Sequence, residues 1–304
     1  MESSIVTSVL LPAALAVIMF GLGLSLTVSD FKRVAKMPRA VLAGLLIQTV
    51  LLTAVCAAIV TVLQLPPALA VGMMLIAAAP GGASANIFSH LARGDVALNI
   101  TLTALNSVLA LATLPIIVSL SLAHFVGREA YVPPPFIKIA EVSLVIILPV
   151  LMGMWAKARR PQFAQAAENP VRIVSVVVLA LFSVVALVRD GDVLVDHLAE
   201  VALACVAFNL VSMLAGYVLP LWLGLARAEA IAISMEIGIH NAALAMFVAI
   251  NILGDGEYAI PAAVYSFVMI VTAAGFTVAL ELQRTPQGEN RKLAIRRSLW
   301  GKKP

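Results

Sequence analysis

Charge is what this chain has least of. Only 12% of its 304 residues are Asp, Glu, Lys or Arg, where a soluble domain carries roughly a quarter. With 62% hydrophobic residues and a mean hydropathy of +1.04, a water-soluble fold is excluded and little length is left for a soluble domain. Cysteine is scarce too. Cys56 and Cys205 both lie in apolar stretches, so they read as small core residues and not as a disulfide framework or a metal pair. No H-x-x-x-H or C-x-x-C spacing occurs, which excludes those metal motifs. No basic n-region precedes the first apolar stretch, so no cleavable leader is expected.

Long apolar segments are what the chain does have. Nine reach spanning length: 5–27, 39–63, 67–92, 95–123, 137–157, 171–188, 195–224, 228–250 and 258–282. The expected fold is all-α and polytopic, a single transmembrane unit over 1–304. Loop charge sets its orientation. With nine spans, every Lys and Arg except Arg128, Lys138 and Arg189 falls on one side. That side is cytoplasmic by the positive-inside rule, so the N-terminus is expected outside and the C-terminus inside, in the inner (cytoplasmic) membrane. Residues 283–304 form a basic tail. The positive-inside bias already accounts for it, so contact with anionic headgroups of the bilayer is expected and a nucleic-acid partner is not.

Two spans carry polar interruptions. Span 3 contains "APGGASAN", Ala79 to Asn86; Pro80 removes a backbone donor, and Gly81 and Gly82 loosen the helix further. Span 8 contains "SMEIGIHN", Ser234 to Asn241, with Gly238 as its weaker breaker. Broken backbone at membrane depth is tolerated only where protein or a polar cavity covers it. The two segments are five spans apart and so run in opposite directions. Paired interrupted helices of opposite direction mark an inverted-repeat secondary transporter, with its site at the midplane. Glu236 is the only carboxylate deep in any span, and no Lys or Arg lies at that depth. Either it is protonated or its partner comes from outside, and Na⁺ and H⁺ are the economical choices. A kinked helix in a structural bundle is the alternative.

"MFGLGLSLTVSDF", "PGGASANIFSHLARGDVALNITLT", "EIGIHNAALA" and "IPAAVYSFV" resemble the signature segments of the bile acid:sodium symporter family. Their order and spacing fit from Ile18 to the last span. The resemblance implies a panel and a core domain, two discontinuous helices crossing in the core, and sodium-coupled uptake of an organic anion by alternating access. Some bacterial members have ten spans; this chain reads as lacking the first. The resemblance also implies a first sodium site at Ala85, Asn86, Asn99, Thr103 and Glu236. Ala85 and Asn99 stand where serines are usual, and Ala85 brings no side-chain oxygen. A second implied site comprises Gln48, Glu236, Ile237, Ile239 and His240. Here His240 replaces a glutamine, although Na⁺ is hard and prefers oxygen.

His240 has three readings: a satisfied packing histidine, a proton-sensitive group, since a free imidazole titrates near ~6.5, or a substrate contact. Ala83, Ser84 and Asn241 open the second halves of spans 3 and 8 and are the candidate anion-binding positions; Asn241 serves equally as a cap. Asn106 and Asn209 read as interhelical hydrogen-bonding groups. Ser29 with Asp30 reads as the N-cap of a short interfacial helix.

The expected function is therefore symport of a small organic anion, a 2-keto or 2-hydroxy monocarboxylate or a bile-acid-like molecule. It would use one or two Na⁺ ions and no organic cofactor, in a monomer that is not an enzyme. A proton-coupled carrier of the same fold is the nearest alternative, and an anion receptor or channel is a more distant one.

Overall fold

A computed structural model describes residues 11–127, 136–189 and 191–282. The basic tail and the start of the first apolar segment lie outside these residues. Among the described residues there is no strand. Each of the nine apolar segments is matched by one helix or by a string of shorter ones. The chain runs α1 (Leu11–Ser25), α2 (Val28–Lys32), α3 (Pro38–Leu46), α4 (Leu52–Val62), α5 (Pro67–Ala78), α6 (Ala83–Leu91) and α7 (Val96–Ser121). It continues with α8 (Phe136–Arg159), α9 (Pro161–Arg189), α10 (Gly191–Trp222), α11 (Arg227–Gly238), α12 (Ala242–Phe247) and α13 (Ile260–Leu282).

Four of these stretches are long and apolar enough to cross a membrane by length and composition: Pro38–Val62, Val96–Val126, Val195–Trp222 and Glu257–Leu282. A fifth arises if α1 and the bent segment after it, which meet at 66°, form one span. The surface is apolar to match. Leu46, Val50, Val62, Leu120, Trp222 and Val271 are all exposed, as side chains that face acyl tails would be.

Inside, α5 and α11 are buried on every face. Leu69 to Ala78 and Ala230 to Gly238 are buried without a gap, which is how a helix reads when protein surrounds it completely. Helices α7, α10 and α13 pack around them, while α1 packs chiefly on α8 and α9. The α1–α8 approach is close enough to exclude side chains. A Cβ at Gly153 would overlap the backbone of Phe20 and Gly23, and one at Gly23 would overlap Val150. Lys157 reinforces the pair, its Nζ donating to the Ser25 carbonyl (2.7 Å) at the negative end of α1.

Two local details differ from the sequence reading. The cap of α2 is Thr27, not Ser29: the Asp30 carboxylate reaches back to accept from both the Thr27 N–H and its hydroxyl, each at 2.7 Å, the acidic half of a capping box. Between α3 and α4 the helix widens into a π turn, Ile47–Leu51, which carries Gln48. Such insertions re-aim one side chain without ending the helix.

Replacing Gly153 with Val is expected to cost about 1–3 kcal/mol through overpacking, read as a lower melting temperature of the detergent-solubilised protein. An unchanged melt would contradict the close α1–α8 packing.

Candidate cation site at the helix crossing

The break after α5 and the break after α11 meet. Gly81 and His240 form an isolated antiparallel β-bridge. The Gly82 N–H donates to the Ile239 carbonyl (2.7 Å), and the Asn241 N–H donates to the Pro80 carbonyl (2.9 Å). Each break thus satisfies backbone groups that the other leaves open, with no need for water. A further network holds the end of α11. The Tyr265 hydroxyl and the Asn209 amide both donate to the Gly238 carbonyl, at 3.0 and 2.7 Å. The Thr272 hydroxyl in turn donates to Asn209 Oδ1 at 2.5 Å.

Glu236 sits in the last turn of α11 with no exposed surface. Its Oε2 accepts from the Thr103 hydroxyl (2.5 Å) and its Oε1 from the Asn106 amide (3.2 Å). The Gly81 backbone N–H reaches the same carboxylate. A Cβ at residue 81 would overlap the carboxyl group, so the glycine there is required by close approach. These neutral donors stabilise an anion without cancelling its charge. No Lys or Arg is buried among the described residues.

The neighbouring amides point to what does cancel it. Asn99 donates its Nδ2 to the Ala232 carbonyl (2.8 Å) and leaves Oδ1 unpaired. The Oδ1 atoms of Asn86 and Asn106 are also buried without a partner. Each such oxygen costs about 1–3 kcal/mol if left dry and unpaired. Asn99, Thr103 and Asn106 share one face of α7 by their spacing. Asn86 lies on α6, which packs on both α7 and α11. Unpaired amide oxygens beside a carboxylate form a donor set for a hard cation. The structure joins Thr103 and Asn106 to Glu236, with Asn99 one turn before Thr103 on α7 and bonded to α11, and Asn86 on the adjoining α6. Ala85 is buried beside them but adds no side-chain oxygen.

The second predicted group is arranged differently. Gln48 donates its Nε2 to the Ala79 carbonyl at 3.1 Å, and His240 Nδ1 lies 3.1 Å from that same carbonyl. The imidazole stacks on Phe208 at 5.6 Å and meets Tyr265 edge-on at 5.6 Å. The Ile239 carbonyl is taken by Gly82, and Ile237 is buried within α11. Ala83 and Ser84 begin α6. Asn241 is the N-cap of α12, its Oδ1 accepting from the Leu244 N–H at 3.1 Å, so the capping role is the one seen. A small recess adjoins the α5 break and is lined by Gln48, Thr49, Ala79, Pro80, Asn106 and Thr113 among others.

Asn106, expected as an interhelical hydrogen-bonding group, is one, and the partner it reaches across to is Glu236 itself. Its signal was the face it shares with Asn99 and Thr103. Of the clamp on Gly238, Asn209 is the interhelical hydrogen-bonding group expected from the sequence, while Tyr265 and Thr272 had no signal beyond polarity in an apolar helix.

Comparison with known proteins gives the family. Residues 12–197 match the sodium bile acid symporter family. The chain belongs to that family. It is thus an integral membrane protein of a transporter family and not an enzyme. It is similar to a probable sodium/metabolite cotransporter of Arabidopsis thaliana chloroplasts, BASS1, with 28% identity over 83% of this chain and 62% of the relative. The sodium-dependent transporter YocS of Bacillus subtilis is 28% identical over 83% of this chain and 77% of its own length. The human ileal sodium/bile acid cotransporter is 26% identical over 60% and 52% respectively. The chain spans about three fifths of the plant relatives it matches.

A Gly81→Ala change should push a methyl group into the Glu236 carboxylate and weaken monovalent-cation binding at least tenfold. Gly82→Ala meets the backbone of His240 and Ile239, nowhere closer than 3.1 Å, and should do much less. Sodium titration of the two purified variants compares them; equal affinities would contradict the placement of Glu236.

Proposed function

We propose that this chain is a sodium-coupled symporter of a small organic anion, working by alternating access. One observation carries the reading: two broken antiparallel helices cross where a buried carboxylate faces neutral donors, with unpaired amide oxygens on the helices around it. An anionic pocket of this kind, deep in an apolar helical protein, is completed by a cation. The named activities of the relatives, sodium/metabolite and sodium/bile acid cotransport, support sodium as that cation.

In this reading the nine helical segments all cross the inner membrane, N-terminus outside and C-terminus inside, and form inverted repeats. Helices α1, α8 and α9 make the panel, and the segments from α3 to α7 and from α10 to α13 make the core. Na⁺ is held by Asn86, Asn99, Thr103 and Glu236. The anion docks at the start of α6, by Ala83 and Ser84, and beside Asn241, where backbone N–H groups and the positive end of a helix favour negative charge. Cation binding removes the net charge from the crossing. The core then moves past the panel with substrate and ion together more readily than with the bare carboxylate, which resists transfer through an apolar constriction. A small 2-keto or 2-hydroxy monocarboxylate is the substrate class that suits a site built from two short helix starts.

The test is uptake of labelled pyruvate into proteoliposomes at fixed pH, with and without an inward Na⁺ gradient. The wild type should accumulate label only with the gradient, and Glu236→Gln should lose at least 90% (about tenfold, of the order expected for a lost charged ligand) of the sodium-driven component. Normal sodium-driven uptake by Glu236→Gln would overturn the role of this carboxylate. A proton gradient that replaces Na⁺ fully would move the chain to the proton-coupled alternative.

A further inference from the structure

We propose that the crossing carries a single sodium ion, and that the side chain of His240 fills the position a second would take. This rests on the sodium-coupled reading and sets its stoichiometry.

The two sides of the crossing differ in what they lack. On the α7 side, the Glu236 carboxylate meets neutral donors only, and the Oδ1 atoms of Asn86, Asn99 and Asn106 have no partner. A cation would complete this donor set. On the α3–α4 side, donors already cover the Ala79 and Ile239 carbonyls. The Ala79 carbonyl receives Gln48 Nε2 and His240 Nδ1, each at 3.1 Å. A carbonyl only accepts, so Nδ1 carries the ring proton. The Ile239 carbonyl receives the Gly82 N–H at 2.7 Å. What remains at His240 is Nε2, a buried nitrogen lone pair without a partner. An imidazole nitrogen suits transition metals and is a poor match for a hard alkali cation.

The ring is also held in place. It is 1% exposed, stacked on Phe208 and edge-on to Tyr265. Swinging it away to admit an ion would break both contacts and the bond to Ala79. Gln48 could offer its unpaired Oε1, but one amide oxygen is far short of the several ligands a hard cation requires.

Charge gives the same count. Asp30 and Glu236 are the buried carboxylates among the described residues, and Asp30 is taken up in capping α2. One carboxylate at the crossing is neutralised by one monovalent cation. A monoanionic substrate carried with one Na⁺ moves no net charge.

The experiment is equilibrium binding of ²²Na⁺ to the purified full chain, wild type and His240→Gln, with the slope of melting temperature against sodium activity as a second measure of ions bound. The expected result is one ion per wild-type chain and two per His240→Gln chain, since the amide restores an oxygen. Two ions on the wild type would overturn the proposal and leave the sodium-coupled reading intact. One ion on both proteins would overturn the assignment to His240. If His240→Gln does not fold, the wild-type count from the two measures still decides between one ion and two. No sodium on the wild type would overturn both this inference and the reading beneath it.

Discussion

A helix broken inside a membrane exposes backbone groups that lipid cannot satisfy, and everything else in this structure depends on how that is resolved. Here each break is completed by the other. The Gly81–His240 bridge and its two flanking hydrogen bonds pair amides and carbonyls that would otherwise each cost on the order of several kcal/mol. The pairing fixes the crossing point, and the crossing point fixes Glu236. With Gly81 pressed against the carboxyl group, the acid has no room to retreat. The protein thus holds a carboxylate in a dry place on rigid elements, supported from α7, α10 and α13. Such an arrangement favours whichever conformation or ligand supplies a positive charge.

The same constraint accounts for the distribution of small and polar residues. Helices α5 and α11 are enclosed by protein, so the polar groups that reach the crossing from neighbouring helices stand out. Gln48 projects from a π turn. The amides of Asn99 and Asn209 each donate to a backbone carbonyl of α11. These groups pin the broken helix from opposite sides. The outer helices show the reverse pattern, with bulky side chains toward the surrounding apolar medium and glycines where α1 meets α8.

Much of the architecture was legible because membrane constraints are strict. Apolar length marked the helices, and Pro80-Gly81-Gly82 marked the first break unambiguously, since proline removes a donor. The second break was harder to see. Gly238 alone does not stop a helix; the break forms because Tyr265 and Asn209 take the Gly238 carbonyl, and those residues lie far from it in sequence. The π turn at Gln48 was invisible for a related reason, as no residue type encodes it. Ser29 was taken as the cap of α2, yet Thr27 fills that role because Asp30 stands three residues after it. At the site, Glu236 and Thr103 were recognised and are joined. Asn106 reads in sequence as an interhelical hydrogen-bonding group and is one, but that its partner is Glu236 cannot be read without the facing helix.

The central claim is that the crossing encloses a cation beside Glu236. Anomalous diffraction from crystals soaked in thallium, a heavy monovalent cation, tests it most directly. The account predicts a peak bounded by the Glu236 carboxylate, the Thr103 hydroxyl and the side-chain oxygens of Asn86 and Asn99. A crossing with no peak at a concentration that saturates binding in solution, or a peak only on the His240 side, would contradict it.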